Sequence, residues 1–442
     1  MLSQIFFVFS TLVVITGASP IVINDPLENY KLQETRSLGI RAKRQALRDH
    51  SYPLSLWNDG PIPFTISTPH AVTIILKSIK FWQQNTCIDF EQNGKGKNVL
   101  DFVRGTGCYS AIGRVWFQKR QDLSVGTICE HFHTVTHELA HALGLFHTQS
   151  RPDRNRYVII HEENALASFA STSLNNFVTL ITEEGRRCAF QRGQQGNFRA
   201  EDPTSCVTYD IPYEYGSVMH YRNHEFSVNS KPTVVPRDPL HEHTMGSGTG
   251  PSFLDVLLIN KHYNCLDRCA TVNTDCKNGG YPHPRNCDEC ICPSGFAGRY
   301  CNEKQSSDGC GEILYANSTV LEVFHRMGAP GTRDDMSYCY WWIKTLENER
   351  IEVRIISLNT ACWEGCLFGG LEIKASEDKR LTGYRFCCDE FPKKPIVIPG
   401  GILPIILFNR DSFTSFSLQY RSVPSDYPAA ESQLTNFLGD DS

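Results

Sequence analysis

The sequence predicts an α+β domain, then a small disulfide-rich module, then an all-β sandwich. Three observations carry this. The chain has 442 residues, too many for one ordinary core. Its 18 cysteines fall into three sets of six: Cys87, Cys108, Cys129, Cys188, Cys206, Cys265; Cys269, Cys276, Cys287, Cys290, Cys292, Cys301; and Cys310, Cys339, Cys362, Cys366, Cys387, Cys388. Mixed helical and extended patterns before Cys265 give way after Cys310 to short alternating segments between turns.

Composition narrows the class. An apolar share of 40% suits a chain that mostly folds, and 43 basic against 48 acidic residues leaves a charge of only −5. Nucleic-acid binding by bulk positive charge is therefore excluded. Eighteen cysteines, with only Cys287-x-x-Cys290 in the zinc-pair form, point to disulfides and an oxidising compartment.

The elements follow in order. Ile5 to Ile15 is nearly unbroken apolar sequence followed by Thr16-Gly17-Ala18, which predicts a signal peptide over 1–18. Eleven residues are short for a membrane span of ~20, so the expectation is a secreted, extracellular protein with no membrane span. Residues 19–44 end in Arg41-Ala42-Lys43-Arg44 and read as a propeptide trimmed by a processing protease at Arg44. The main domain is expected over 45–266. Pro61 to Ile66 reads as a strand, Ala71 to Trp82 and Phe132 to Leu145 as helices, and Asn164 to Ile181 as a third helix. Residues 267–302 have too little core without cross-links. In 310–421, Trp342-Ile343, Ile351 to Ile356, Leu371 to Ile373 and Phe416 to Tyr420 read as strands, and 422–442 as a disordered tail.

The chemistry lies in His137-Glu138-Leu139-Ala140-His141-Ala142-Leu143-Gly144-Leu145-Phe146-His147. On a helix, His137 and His141 share a face and can offer two neutral nitrogens to one Zn²⁺. Gly144 can take positive φ and end the helix, so that His147 returns as a third ligand. Glu138 is read as the acid/base beside the metal, not as a ligand. A chance H-E-x-x-H in such a chain has odds of roughly one in thirty, and the added Gly and third His lower this to roughly one in ten thousand. Gly216-Ser217-Val218-Met219-His220-Tyr221 then reads as a Met-turn around Met219, as metzincins have. His131 and His133 are weaker ligand candidates, because their spacing to the triad is unhelpful.

On these segments, with Ser150-Arg151-Pro152-Asp153-Arg154, Tyr213-Glu214-Tyr215 and Gly107-Cys108-Tyr109-Ser110-Ala111-Ile112-Gly113-Arg114, the chain resembles the astacin family of zinc endopeptidases that carry an EGF-like module and a CUB domain. The resemblance covers most of 45–310 and runs more loosely to 420. It implies an α+β metzincin catalytic domain with a zinc helix, an EGF-like module and an all-β CUB sandwich. It implies one Zn²⁺ held by His137, His141, His147 and Tyr221, with Glu138 and Tyr221 catalytic, the tyrosine able to swing towards the oxyanion. It implies the disulfides Cys87–Cys265, Cys108–Cys129, Cys269–Cys287, Cys276–Cys290, Cys292–Cys301 and Cys310–Cys339. Cys188 and Cys206 are left over and are expected to pair, while Cys362, Cys366, Cys387 and Cys388 stay unassigned. Asn317-Ser318-Thr319 is a glycosylation sequon.

Three positions depart from the family pattern. Thr148 stands where a Glu ties down the mature N-terminus. Leu32-Gln33-Glu34-Thr35 lacks the propeptide Asp that blocks zinc. Met245-Gly246-Ser247-Gly248 lacks a basic residue that selects acidic substrates. Neither accessory module shows the acidic residues of calcium-binding relatives. The function expected is a secreted endopeptidase made as a zymogen, acting on protein or peptide substrates, extracellular matrix among them. The alternative is an inactive astacin-fold protein that binds through its EGF-like and CUB modules.

Overall fold

The computed structural model describes residues 45–165, 197–202, 204–246, 248–307, 309–388 and 391–427. The expected signal peptide, propeptide, the third helix beyond Ala165, and Cys188 with its pairing to Cys206 lie outside the described residues.

In the first domain a five-stranded sheet runs in the order Phe90–Gln92, Ile62–Ile66, Val99–Val103, Arg120–Val125, Cys108–Ser110. All neighbours are parallel except the last pair. Helix α1 (Val72–Asn85) buries Ile75, Ile79 and Trp82, the spacing that predicts it. Trp82 Nε1 donates to the Thr136 carbonyl at 3.3 Å, tying α1 to α2 (Phe132–Ala142). Helix α2 stops at Ala142, short of the expected Leu145, because Gly144 turns left-handed at φ +104°. A third helix, α3 (Phe253–His262), was not expected. It is buried nearly all round, so it shows no one-sided periodicity; Ser252 and Asp255 cap it reciprocally.

Among the described residues, disulfides join Cys87–Cys265, Cys108–Cys129, Cys269–Cys287, Cys276–Cys290, Cys292–Cys301 and Cys310–Cys339, and also Cys362–Cys388 and Cys366–Cys387. The C-terminal domain is a sandwich. Two long strands, Leu321–Lys344 and Ile402–Pro424, pair antiparallel throughout and bend at register shifts between Gly328 and Ser337. Their halves therefore lie in both layers, and Ile343, Leu403, Leu407, Phe416 and Leu418 face one core. The last strand ends at Pro424, three residues into the segment expected as a tail.

The modules are packed together. Thr382 N–H donates to the buried Glu214 carboxylate at 3.1 Å. Thr244 Oγ1 donates to Gly383 O at 3.2 Å and accepts from Arg385 N at 3.1 Å. Tyr384 OH donates to Asp238 at 2.9 Å. Lys374, buried in the sandwich, donates to Ser294 of the disulfide-rich module at 3.2 Å, and Arg385 pairs with Glu372 at 2.9 Å. Burial raises the Glu214 pKa to about 7. Burial pushes Glu372 the same way, but the charges of Arg385 and Lys374 outweigh it and hold that carboxyl below its ordinary value. Replacing Arg385 by Leu removes the direct ion pair of the buried Glu372 and leaves only the more distant charge of Lys374. The expected outcome is a loss of about 3–5 kcal/mol of stability, measured by denaturant unfolding of the full chain.

Candidate metal centre and active site

Helix α2 buries Val135, Leu139 and Ala142 against the sheet side, which turns His137 and His141 to the other face. Gly144 allows the chain to double back: its absent Cβ would lie 2.8 Å from His262 Nε2. His147 returns beside the helix, with its Nε2 3.1 Å from His141 Nε2 and 3.3 Å from His137 Nε2. A tetrahedral zinc ion with bonds of ~2.1 Å separates its ligand atoms by about 3.4 Å. The three nitrogens thus fit a zinc ion.

Second contacts fix the tautomers. His137 Nδ1 lies 2.6 Å from Val218 O, and His141 Nδ1 2.7 Å from Leu145 O. A carbonyl can only accept, so each Nδ1 carries the proton and each Nε2 lone pair faces the cluster. Burial lowers the pKa of all three, that of His141 to about 3, and keeps them neutral as ligands must be.

Glu138 is buried, and its Oε2 has no hydrogen-bond partner. Burial pushes its pKa up to about 8. It lines a cleft of about 180 Å³ together with His137, Val218, Tyr221, Arg222 and Gly246. The Tyr221 ring is 4.4 Å from that of His147, and burial raises its phenol pKa. Met219 is fully buried beneath, and its carbonyl accepts from Thr148 N–H at 2.9 Å. His133 also lines the cleft, stacked on His131 at 5.6 Å; neither belongs to the cluster.

Sequence reasoning missed Asp255. Its carboxylate accepts from Ser217 Oγ at 2.5 Å, Val218 N at 2.8 Å and Ser252 N at 2.8 Å, bracing the turn that holds Met219. The available signal was Ser-x-x-Asp ahead of an apolar run. Thr148, the departure from the family pattern, accepts from Gln45 Nε2 at 3.0 Å. Gln45 Oε1 in turn accepts from Arg151 at 3.3 Å. A neutral side-chain tie therefore stands where an acidic residue was expected.

Two outcomes follow from this geometry. Gly144→Ala forces a left-handed Cβ into His262; a loss of about 2 kcal/mol or more and weaker zinc retention are expected, read by unfolding and metal titration. His241 and His262 are buried with their pKa lowered to about 4. The unfolded chain binds these protons near pH 6.5 and the folded chain does not. Stability should thus hold above about pH 7 and fall as pH drops from about 6.5 towards 4, visible as a thermal midpoint several degrees lower at pH 5.

A model of the Astacin peptidase family matches residues 49–187 and 174–264. The chain is 38% identical over 396 residues to zinc metalloproteinase nas-31 of Caenorhabditis elegans, covering 88% of this chain and 60% of that protein. It is also 38% identical over 390 residues to zinc metalloproteinase nas-29 of the same organism, covering 87% of this chain and 68% of that protein. The chain thus spans less than two thirds of the first of these. Among solved structures, the hatching enzyme zinc-protease HCE-1 of Oryzias latipes (medaka) is 28% identical, with 50% of this chain and 94% of that chain covered and a TM-score of 0.37.

Proposed function

Because the chain belongs to the astacin family, we propose that it is a zinc-dependent endopeptidase that hydrolyses peptide bonds of extracellular proteins. The observation that carries this is three imidazoles, one buried and two half-buried, converging on one point beside a carboxylate oxygen that has no partner. His137, His141 and His147 hold the ion, and Tyr221 stands beside His147 as a further ligand. When bound, zinc supplies Lewis acidity towards the scissile carbonyl and the attacking water.

The chain's own residues do the rest. Glu138 Oε2 faces the cleft unpaired and takes the proton of the attacking water, then delivers it to the leaving amine. Burial raises its proton affinity, and a cation held by the neighbouring imidazoles would offset part of that rise. Tyr221 OH, held protonated by burial, donates to the oxyanion as it forms. His220 positions Tyr221: its Nδ1 donates to Tyr221 O at 2.7 Å, and its Nε2 accepts from Tyr213 OH at 2.8 Å.

Secretion and synthesis as a zymogen cut after Arg44 belong to the same reading. The disulfides found in every module support an oxidising destination, and Asn317 is exposed, as a glycosylated asparagine must be. No helix among the described residues is long and apolar enough to cross a membrane.

Peptide-library cleavage by the secreted protein tests the reading. Glu138→Gln should lower kcat by at least about 100-fold with zinc still bound, and a chelator should abolish cleavage. Tyr221→Phe should lower kcat by about 100-fold with KM little changed. Intact protein that holds one zinc and cleaves nothing would overturn the proposal in favour of a binding role.

A further inference from the structure

The cleft beside the histidine cluster carries two charges that the chemistry above does not use. Arg222 and Glu225 line it together with Glu138 and Tyr221. Both are half-buried, so each keeps part of its surface open to the cleft. Among the described residues, neither side chain makes a hydrogen bond or an ion pair. His224, between them in the chain, is exposed, does not line the cleft and pairs with Glu364.

The backbone fixes where these side chains stand. Asn223 O accepts from Thr233 N–H at 2.7 Å and from Val234 N–H at 3.1 Å, and Glu225 O accepts from Thr233 Oγ1 at 2.8 Å. Phe226, left-handed at φ +57°, sets its ring 5.4 Å from that of Tyr221. Gly246 makes room for Arg222, because a Cβ there would overlap Arg222 Cγ. The stem of Arg222 is thus laid along Gly246, and its guanidinium does not close on Glu225. Burial is the largest influence on Glu225 and raises its pKa; Glu364 adds to the rise, and the charge of Arg222 opposes it. A carboxylate drawn partly out of water with no hydrogen bond to it costs free energy, which an arriving cation would offset. His133 and His220, also in the lining, are kept neutral by burial, with pKa values lowered to about 3 and about 4.

We propose that Glu225 determines specificity: its carboxylate accepts from the ammonium or guanidinium of a substrate residue flanking the scissile bond, so that the cleft selects Lys or Arg there. This rests on the endopeptidase reading and names the substrate class of that same site. The flanking position follows from size. In a cleft of about 180 Å³ shared with Glu138 and Tyr221, only residues next to the reacting carbonyl come within reach of Glu225. The sign follows from the surroundings. Acidic side chains outnumber basic ones there, with Glu138 and Glu225 in the lining and Glu364 facing Glu225, against Arg222 alone.

The test uses the full chain and peptides in which each residue flanking the cut is in turn Lys, Arg, their neutral isosteres norleucine and citrulline, or Glu. In the wild type, kcat/KM for Lys or Arg at one flanking position should exceed that of the neutral isostere by at least about tenfold. The near-isosteric Glu225→Gln should bring that ratio below about threefold, chiefly through KM, while Glu225→Asp should keep part of it. Binding without turnover is a second readout. In a Glu138→Gln background the Lys peptide should bind at least about fivefold more tightly than the norleucine peptide, less so at high salt. Adding Glu225→Gln should erase that advantage. A cation preference that survives Glu225→Gln in a folded, zinc-loaded variant overturns the proposal. A wild type with no charge preference, or one that prefers Glu and so is read by Arg222, overturns it too, and in each case the endopeptidase reading stands. If the zinc-loaded wild type cleaves no peptide, the endopeptidase reading fails, and this inference with it.

Discussion

Three imidazoles with their Nε2 atoms held about 3 Å apart, two of them presenting lone pairs, form the constraint on which the rest depends. Two lone pairs brought this close repel one another, so their rings need a restraint beyond their mutual contact. The fold supplies the restraint from behind. The carbonyls of Val218 and Leu145 fix two rings, Gly144 sets the return of the third, and Met219 closes the floor through Thr148. The first carbonyl belongs to the turn that Asp255 braces from the start of α3. Removing water from the site keeps the histidines unprotonated and raises the proton affinity of Glu138. One burial therefore acts on both the histidines and the carboxylate.

The same logic extends outward. Glu214 lies five residues before Met219 and accepts from Thr382 of the sandwich, and Lys374 on that side reaches the disulfide-rich module. The turn beneath the histidine cluster is thus held between α3 on one side and the sandwich on the other. Buried charges at such a junction add little net stability, because desolvation offsets their attraction. They do make any other docking of the modules costly, since each would strand a charge away from water. The arrangement specifies orientation more than it adds strength.

What the sequence revealed follows from where its signals are local. Helix α2 and its histidine cluster were legible because the i, i+4 histidines and the following Gly act over a single turn. Helix α1 was legible from Ile75, Ile79 and Trp82. Helix α3 was not, because a helix buried on nearly every side has no periodic contrast. Cys362, Cys366, Cys387 and Cys388 could not be paired, because two adjacent cysteines leave the choice to the bend of the chain. The docking of the modules was invisible for a related reason. Glu214, Lys374, Thr382 and Arg385 are polar residues far apart in sequence, and only the folded chain shows that they are buried together.

The tie between Gln45 and Thr148 has a consequence for how maturation and shape relate. A latch made by a new terminal ammonium on a carboxylate exists only after the chain is cut, so cutting and ordering are one event. Here the contact runs through a side-chain amide and a hydroxyl, neither of which would change if the chain were cut after Arg44, as proposed. On the proposed cut after Arg44, the side-chain tie is therefore the same before and after, and it offers no ordering switch. On that reading the tie is a permanent fixture of the domain and carries no record of whether the chain has been cut.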